Sequence, residues 1–308
     1  MFIDCHQDIA YSILSNKRDF KTKSEKYMIT FDNLKDSNLD IIFSTIFVSH
    51  RREEKHKEEA SLQIEEYNKI FQNFPDDFYH IQNKDELRQP KGKIGLIFLM
   101  EGAEPISSVD DVDLFYELGL RILGLTWNNE NKYAFGSDKD GSLKTEGYEL
   151  IEKMNEKNIT LDLSHLSEKS FWDCIEKTNL IPIASHSNSS KIRKHKRNLN
   201  DKQLVAISDK GGITGLVLYN QFIASKQKIG MDEVYKQFLH LLNTCGEDHI
   251  SIGSDIDGAP IEDFPEGIKK ASDLQKIITL LESKRIKTSI IEKFSGKNAL
   301  RVLNENLV

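Results

Sequence analysis

Ile94-Gly95-Leu96-Ile97-Phe98-Leu99-Met100-Glu101 is an apolar run without polar alternation, closed by a carboxylate. A strand with one wet face alternates apolar and polar side chains. An unbroken run suits a strand buried on both faces, the mark of a parallel sheet covered by helices. Seven more short apolar, β-branched runs lie at 1–5, 40–48, 121–126, 159–164, 181–185, 213–218 and 250–254. Amphipathic segments separate them. Within 56–74, Tyr67, Ile70, Phe71 and Phe74 fall at helical spacing, with Glu58, Glu59, Glu65 and Glu66 elsewhere. Segments 146–158, 167–178, 200–210 and 232–244 repeat the pattern, and Ser167 and Asn200 stand where N-caps belong. Eight strands alternating with helices predict an α/β fold, a (β/α)8 TIM-type barrel. Leu274, Ile277, Ile278 and Leu281, then Ile290, Ile291 and Phe294, predict closing C-terminal helices. Residues 16–39 read poorly as a helix, and 128–144, rich in Asn, Gly and Asp, read as a long loop after a strand. The charge run 51–59 alternates both signs and reads as a solvated helix start. With no repeat or low-complexity linker, residues 1–308 are expected to form one domain.

Composition narrows the function. Across 308 residues, 42 Lys and Arg against 49 Asp and Glu give a net charge of −7. A negative surface lacks the basic footprint that phosphate binding needs, so nucleic acid is not an expected partner. The start, Met1-Phe2-Ile3-Asp4-Cys5-His6, lacks a basic region followed by a long apolar run, and no stretch reaches the roughly 20 apolar residues of a membrane span. Cys5, Cys174 and Cys245 are widely spaced and odd in number, so neither a disulfide framework nor a metal knuckle is expected. These features lead to the expectation of a cytoplasmic protein with no membrane partner.

The chemistry is written at the strand ends. His6-Gln7-Asp8, Glu101, His165, His186 and Asp255 each follow an apolar run. In a barrel these ends converge on one mouth, the active face. Imidazoles and carboxylates gathered there form a zinc-type donor set, and a carboxylate such as Glu101 could bridge two metals about 3.5–4 Å apart. Singly, each has an ordinary alternative: Asp8 as a helix cap, His165 as a core histidine, His186 as a turn residue, Glu101 as a loop carboxylate. Their shared position is what favours a site. His50, His56, His80, His240 and His249 fall among charges or in helix patterns and read as surface or structural residues. In the basic run Arg193-Lys194-His195-Lys196-Arg197-Asn198, one cation could bind a substrate carboxylate, and an Arg fork suits that role.

From Asp4-Cys5-His6-Gln7-Asp8 through Met100-Glu101-Gly102, Leu163-Ser164-His165, Ser185-His186-Ser187 and Lys196-Arg197-Asn198 to Gly253-Ser254-Asp255-Ile256-Asp257-Gly258, the chain resembles the membrane (renal-type) dipeptidases. These are zinc metallopeptidases on an amidohydrolase-like barrel. The resemblance implies two zinc ions, one held by His6, Asp8 and Glu101 and the other by Glu101, His165 and His186. It implies that Arg197 meets the substrate carboxylate, that Asn198 and the position of Trp127 also bind substrate, and that Asp255 handles protons. It implies cleavage of dipeptides with tolerance of a C-terminal D-residue, and a homodimer, here without an inter-chain disulfide. One departure stands out: vertebrate members carry a substrate-contacting histidine in Leu-Thr-His, where this chain has Leu125-Thr126-Trp127. Rival readings are lactone, phosphoester or deaminase chemistry on the same kind of barrel, or a non-catalytic metal-binding scaffold. A carbamylated lysine after the fourth strand would favour lactone or phosphoester chemistry, but Trp127 and Asn128 stand there. A missing ligand or a missing Asp255 would favour the scaffold, and none is missing.

Overall fold

The computed structural model describes residues 1–49, 53–88, 92–226 and 228–308. The apolar runs become strands β1 (Ile3–Gln7), β2 (Ile41–Phe47), β4 (Ile94–Glu101), β5 (Leu120–Gly124), β6 (Thr160–Asp162), β7 (Ile183–Ala184), β8 (Ile213–Leu216) and β9 (Ile250–Ile252), with a further short strand β3 (Phe78–His80). The order β2-β1-β9-β8-β7-β6-β5-β4 closes on itself through β2 and β4, whose parallel register runs from Ile41 opposite Gly95 to Phe47 opposite Glu101. The eight-stranded parallel barrel is therefore closed, and closure removes the exposed edges an open sheet would present.

Side-chain parity sets what faces the axis. Ile97 and Leu99 of β4 pack with Ile41 and Phe43 of β2 inside the barrel, while Leu96, Phe98, Met100, Ile42 and Ile46 face the helices. Period-two alternation then turns Glu101, Thr45 and Phe47 inward at the C-terminal mouth. On β1 the register shifts between Asp4 and Gln7, and His6, not Gln7, joins the cluster at the mouth. The opposite end is closed by the last helix, Asn298–Asn306, whose Ala299, Val302 and Leu303 pack with Ile3, Ile183 and Ile213.

The amphipathic segments form the helices His56–Asn73, Thr145–Lys157, Glu168–Lys177, Asp201–Asp209 and Met231–Cys245. Ser167 caps one of them through the Ser170 N–H, and Asn200 with Gln203 makes a capping box at another. His50 and the first two residues of the charge run, Arg51 and Arg52, lie outside the described residues. Strand β3 escapes apolar-run reading because Phe78-Tyr79-His80 follows Asp76-Asp77 and ends on a polar histidine, with no aliphatic run to mark it. It pairs with β4 from Ile94 to Leu96, and β5 pairs with β4 from Phe98 onward. Strand β7 is shorter than 181–185, since Pro182 cannot donate to a ladder. Residues 16–39 form a short helix, Phe31–Lys35, and are otherwise tied down by long-range polar contacts: Asp257 accepts from Arg18 Nη2 at 3.1 Å and from Met28 N at 2.9 Å. The three cysteines are free, buried thiols.

Two glycines let the strands around β7 close up. A Cβ on Gly215 or on Gly253 would run into the Ser185 carbonyl, a backbone atom that cannot step aside. Overpacking of this kind costs about 1–3 kcal/mol when side chains can give way. Gly253→Ala should therefore lose at least the upper part of that range in denaturant unfolding. A midpoint equal to that of wild type would show that the strands can separate freely here.

Candidate active site

His6, Asp8, Glu101, His165, His186 and Asp255 converge at the barrel mouth, with His6, Asp8, Glu101, His165 and His186 buried. One atom is their meeting point. Glu101 Oε1 lies 2.7 Å from His165 Nε2, 3.4 Å from His186 Nε2 and 3.7 Å from His6 Nε2. His6 Nε2 is also 3.8 Å from Asp8 Oδ2 and 3.9 Å from Asp255 Oδ1. Among the described residues, the donor atoms of His6, Glu101 and His186, and those of His6, Asp8 and Asp255, lie within 4.8 Å of one another.

Local structure holds these side chains in place. Asp8 occupies the N-cap position of the helix Ile9–Ser15 yet makes no side-chain cap; its Oδ1 accepts from Thr45 Oγ1 at 2.6 Å instead. His165 and Asp255 adopt left-handed backbone, with φ of 68° and 64°. For residues with a side chain this costs about 1–3 kcal/mol each, strain that collects at functional sites. Gly258 packs against the site, because a Cβ there would meet Asp255 Oδ1 and Asp8 Oδ2. The imidazoles are oriented from behind: His165 Nδ1 is 2.9 Å from Asn128 Oδ1, and the Nδ1 atoms of His6 and His186 are 3.2 and 2.8 Å from Ser185 Oγ. Each ring thereby turns Nε2 into the site. His6 Nε2 is buried with no hydrogen-bond partner, and the Nε2 atoms of His165 and His186 face each other at 2.8 Å.

The charges report what the cluster needs. Burial works against a charged His6, but Glu101, Asp8 and Asp255 outweigh it and push the imidazole up to about 10. Burial and Arg197 pull His165 down to about 4, and burial beside His6 holds His186 well below its ordinary value. Burial opposes ionisation of Glu101, yet His6 and His165 hold it well below the carboxylate range. Burial raises Asp8, and raises Asp255 to about 7. Three carboxylates thus compete for one imidazolium. Three inward ring nitrogens and these oxygens form a donor set short of positive charge, which fits a zinc-type divalent cation.

A cavity of about 660 Å³ opens over this cluster, within the range of small-ligand sites. Asp8, Glu101, His165 and Asp255 line it together with Arg197 and Trp127. Arg197 is 4% exposed; its Nη2 donates to the His186 carbonyl at 3.2 Å, while its Nε has no partner. Burial lowers the guanidinium to about 10, opposed by Glu101 and Asp255. Trp127 lies between Phe47, at 5.5 Å, and the His165 ring, at 6.0 Å. Asn198 is placed differently. Its amide donates to the Arg193 and Phe222 carbonyls at 2.8 Å, and it lines a neighbouring cavity of about 710 Å³. His56, His80, His240 and His249 do not line the mouth: His80 stacks on Phe98 and Phe71, and the others bond Ser49 O, Asp201 and Gly212 O.

Sequence reading did not single out Tyr11, Phe47, Tyr219 or Phe222 as site residues, although all four line the cavity. It also passed over Thr45, Asn128 and Asp162. Polar residues at strand ends, on the inward parity, were the available signal. No described helix is long and apolar enough to cross a membrane.

A model of the membrane dipeptidase family, peptidase family M19, matches residues 1–307. An uncharacterized dipeptidase of Schizosaccharomyces pombe is 30% identical over 221 residues, which cover 68% of this chain and 53% of that protein; the match spans about half of its length. The solved structure of a dipeptidase AC, a metallopeptidase of family M19, superposes with a TM-score of 0.93 at 26% identity, covering 99% of this chain and 98% of that one. A metallopeptidase from Rhodobacter sphaeroides, solved with a phosphinate mimic of the dipeptide L-Ala-D-Ala, shares the fold with a TM-score of 0.92 at 24% identity, covering 99% of both chains.

Proposed function

The chain belongs to the membrane dipeptidase family of metallopeptidases, and from that premise we propose that it is a dinuclear zinc dipeptidase accepting a D-residue at the C-terminal position. The observation that carries the reading is the convergence of three imidazole Nε2 atoms on Glu101 Oε1 beneath a cavity lined by a buried arginine. His6, Asp8 and Glu101 would hold one metal, and Glu101, His165 and His186 the other. When bound, such a pair supplies Lewis-acid polarisation of the scissile carbonyl and a water made acidic enough to attack near neutral pH.

The chain's own residues supply the rest. Arg197 binds the free carboxylate of the dipeptide, its unpartnered Nε and charge fitting a bidentate acceptor. That contact orients the peptide across the cavity. Asp255 takes the proton of the attacking water at Oδ1 and gives it to the departing amine. Trp127, with Phe47 and Tyr11 beyond it, offers substrate side chains an apolar wall where a histidine would offer charge, which favours apolar or aromatic dipeptides. Tolerance of a D-residue draws support from the dipeptide mimic bound by the Rhodobacter sphaeroides protein. Metal analysis of the purified protein with a panel of L,L and L,D dipeptides tests the reading. Two bound metals and chelator-sensitive hydrolysis are expected; a metal-free protein, or one inert to every dipeptide, would overturn it.

Arg197 allows a sharper check. Charge-assisted hydrogen bonds are worth about 1.5–3 kcal/mol, roughly a 10- to 150-fold loss in kcat/KM when removed. Amidating the dipeptide carboxylate and making Arg197→Met delete the same contact. Each change alone should show the loss, and the two together little more than one. Fully additive losses would place Arg197 in another role.

A further inference from the structure

Behind the metal-facing side of the cluster, one hydroxyl touches two of its imidazoles. Asp162 Oδ1 accepts the backbone N–H of Ser164 at 3.0 Å and of Ser185 at 2.9 Å, and Asp162 Oδ2 accepts from Ser185 Oγ at 2.5 Å. Ser185 Oγ also lies 2.8 Å from His186 Nδ1, 3.2 Å from His6 Nδ1 and 3.3 Å from Ser164 Oγ, which itself accepts the His186 backbone N–H at 3.2 Å. All of these groups are buried, and room for the Ser185 backbone is made by Gly215 and Gly253.

A serine hydroxyl has one proton and two lone pairs. Asp162 can only accept, so the proton is committed to it, and the hydroxyl can only accept from the two rings. Both rings therefore carry hydrogen on Nδ1, and both present a bare Nε2 when neutral. We infer that Ser185, polarised by Asp162, is a positioning residue that fixes the tautomer of His6 and His186 at once and so couples the two metal positions. The inference rests on the dinuclear reading, in which these two histidines serve different metals. A ligand histidine donates its second N–H as a rule; what is particular here is a single acceptor shared between two of them.

The polarity of the arrangement is fixed by the backbone, and this yields a near-isosteric test. In Asp162→Asn the side-chain oxygen must stay on the two backbone N–H groups. The amide NH2 then faces Ser185 Oγ and occupies one lone pair, leaving one acceptor for two imidazoles. Ser185→Ala removes both. The control is Ser254→Ala, which deletes a similar buried hydroxyl: Ser254 Oγ donates to Asp4 Oδ2 at 2.5 Å, and its other partners are the His6 carbonyl and the Ile256 N–H, not a ring.

Zinc affinity of the full-length protein would be measured by competition with a chromophoric chelator, with metal-free stability recorded by denaturant unfolding. Loss of an outer hydrogen-bond partner costs about 10–100-fold in metal affinity. Ser185→Ala should show that weakening at both positions and Asp162→Asn chiefly at one, while Ser254→Ala loses stability but holds zinc within a few-fold of wild type. Should Ser185→Ala fail to fold, Asp162→Asn carries the test alone. Wild-type zinc affinity at both positions in the variants would overturn the inference, as would an equal loss in Ser254→Ala, which would mean general loosening. A wild-type protein that binds no metal pair would instead overturn the dinuclear reading, an outcome read separately from the variants.

Discussion

Glu101→Ala is expected to strip the protein of at least one metal and leave activity below about a hundredth of wild type. The reason is geometric. A single oxygen, Oε1, is nearest to all three inward imidazole nitrogens, at 2.7, 3.4 and 3.7 Å. Without it, three ring nitrogens face one another around a gap, and two cations would share the site with no anion between them. Losing an outer partner already costs about 10–100-fold, and a ligand common to both positions should exceed that. Elemental analysis of the purified variant beside its kcat/KM on a good dipeptide is the measurement. Two tightly held metals in Glu101→Ala would remove the bridging role, whatever the activity.

Asp255→Asn should do the opposite to the metals and nearly as much to the rate. Burial, with Glu101 adding to it, raises this carboxyl above its ordinary value, and a carboxyl at this place in the cluster is the kind of group that takes and gives a proton in general acid–base catalysis. Asn keeps the shape and can fill the left-handed backbone position, since Asn is among the residues that tolerate it. Metal content should therefore persist while kcat falls by about 10²–10⁴, the usual contribution of a general acid–base. Wild-type kcat with full metal content would free Asp255 of proton transfer. Loss of metal would make it a ligand, as its 3.9 Å distance from His6 Nε2 allows.

The two variants separate functions that the resting geometry holds within a few ångströms. Under the proposed reading Glu101 would act on occupancy and Asp255 on the chemical step. Arg197, which lines the same cavity, would act on substrate binding and would be read by its overlap with the substrate's own carboxylate. Ser185 and Asp162 do not line the cavity and would be read through metal affinity.

The barrel could be read from the chain because burial on both faces leaves a local trace. Runs such as Ile94–Glu101 need no partner to be recognised, and the residue that ends each run is the residue at the mouth. His6, Asp8, Glu101, His165, His186 and Asp255 were candidates for that reason. Strand β3 and the path of residues 16–39 left no such trace: the first is an aromatic and polar stretch without an aliphatic run, and the second is held by Asp257, more than two hundred residues away in sequence. That His6 faces the mouth was legible from its place at the end of a run; the register shift in β1 against β2 that accompanies it was not.

The sequence by itself determined the layers, the strand parity and the kinds of donor at each strand end, since these follow from period-two and period-3.6 patterning within short windows. Only the tertiary structure decided that three imidazoles meet on one oxygen, that Asn198 turns its amide to the backbone beside Arg197, that Trp127, Phe47 and Tyr11 form one wall, and that a single hydroxyl faces two rings. Those facts depend on distances between strands far apart in the chain, fixed by barrel closure and by close approaches such as Gly253 against Ser185. A linear pattern carries the face of a side chain but not its distance to a residue on another strand.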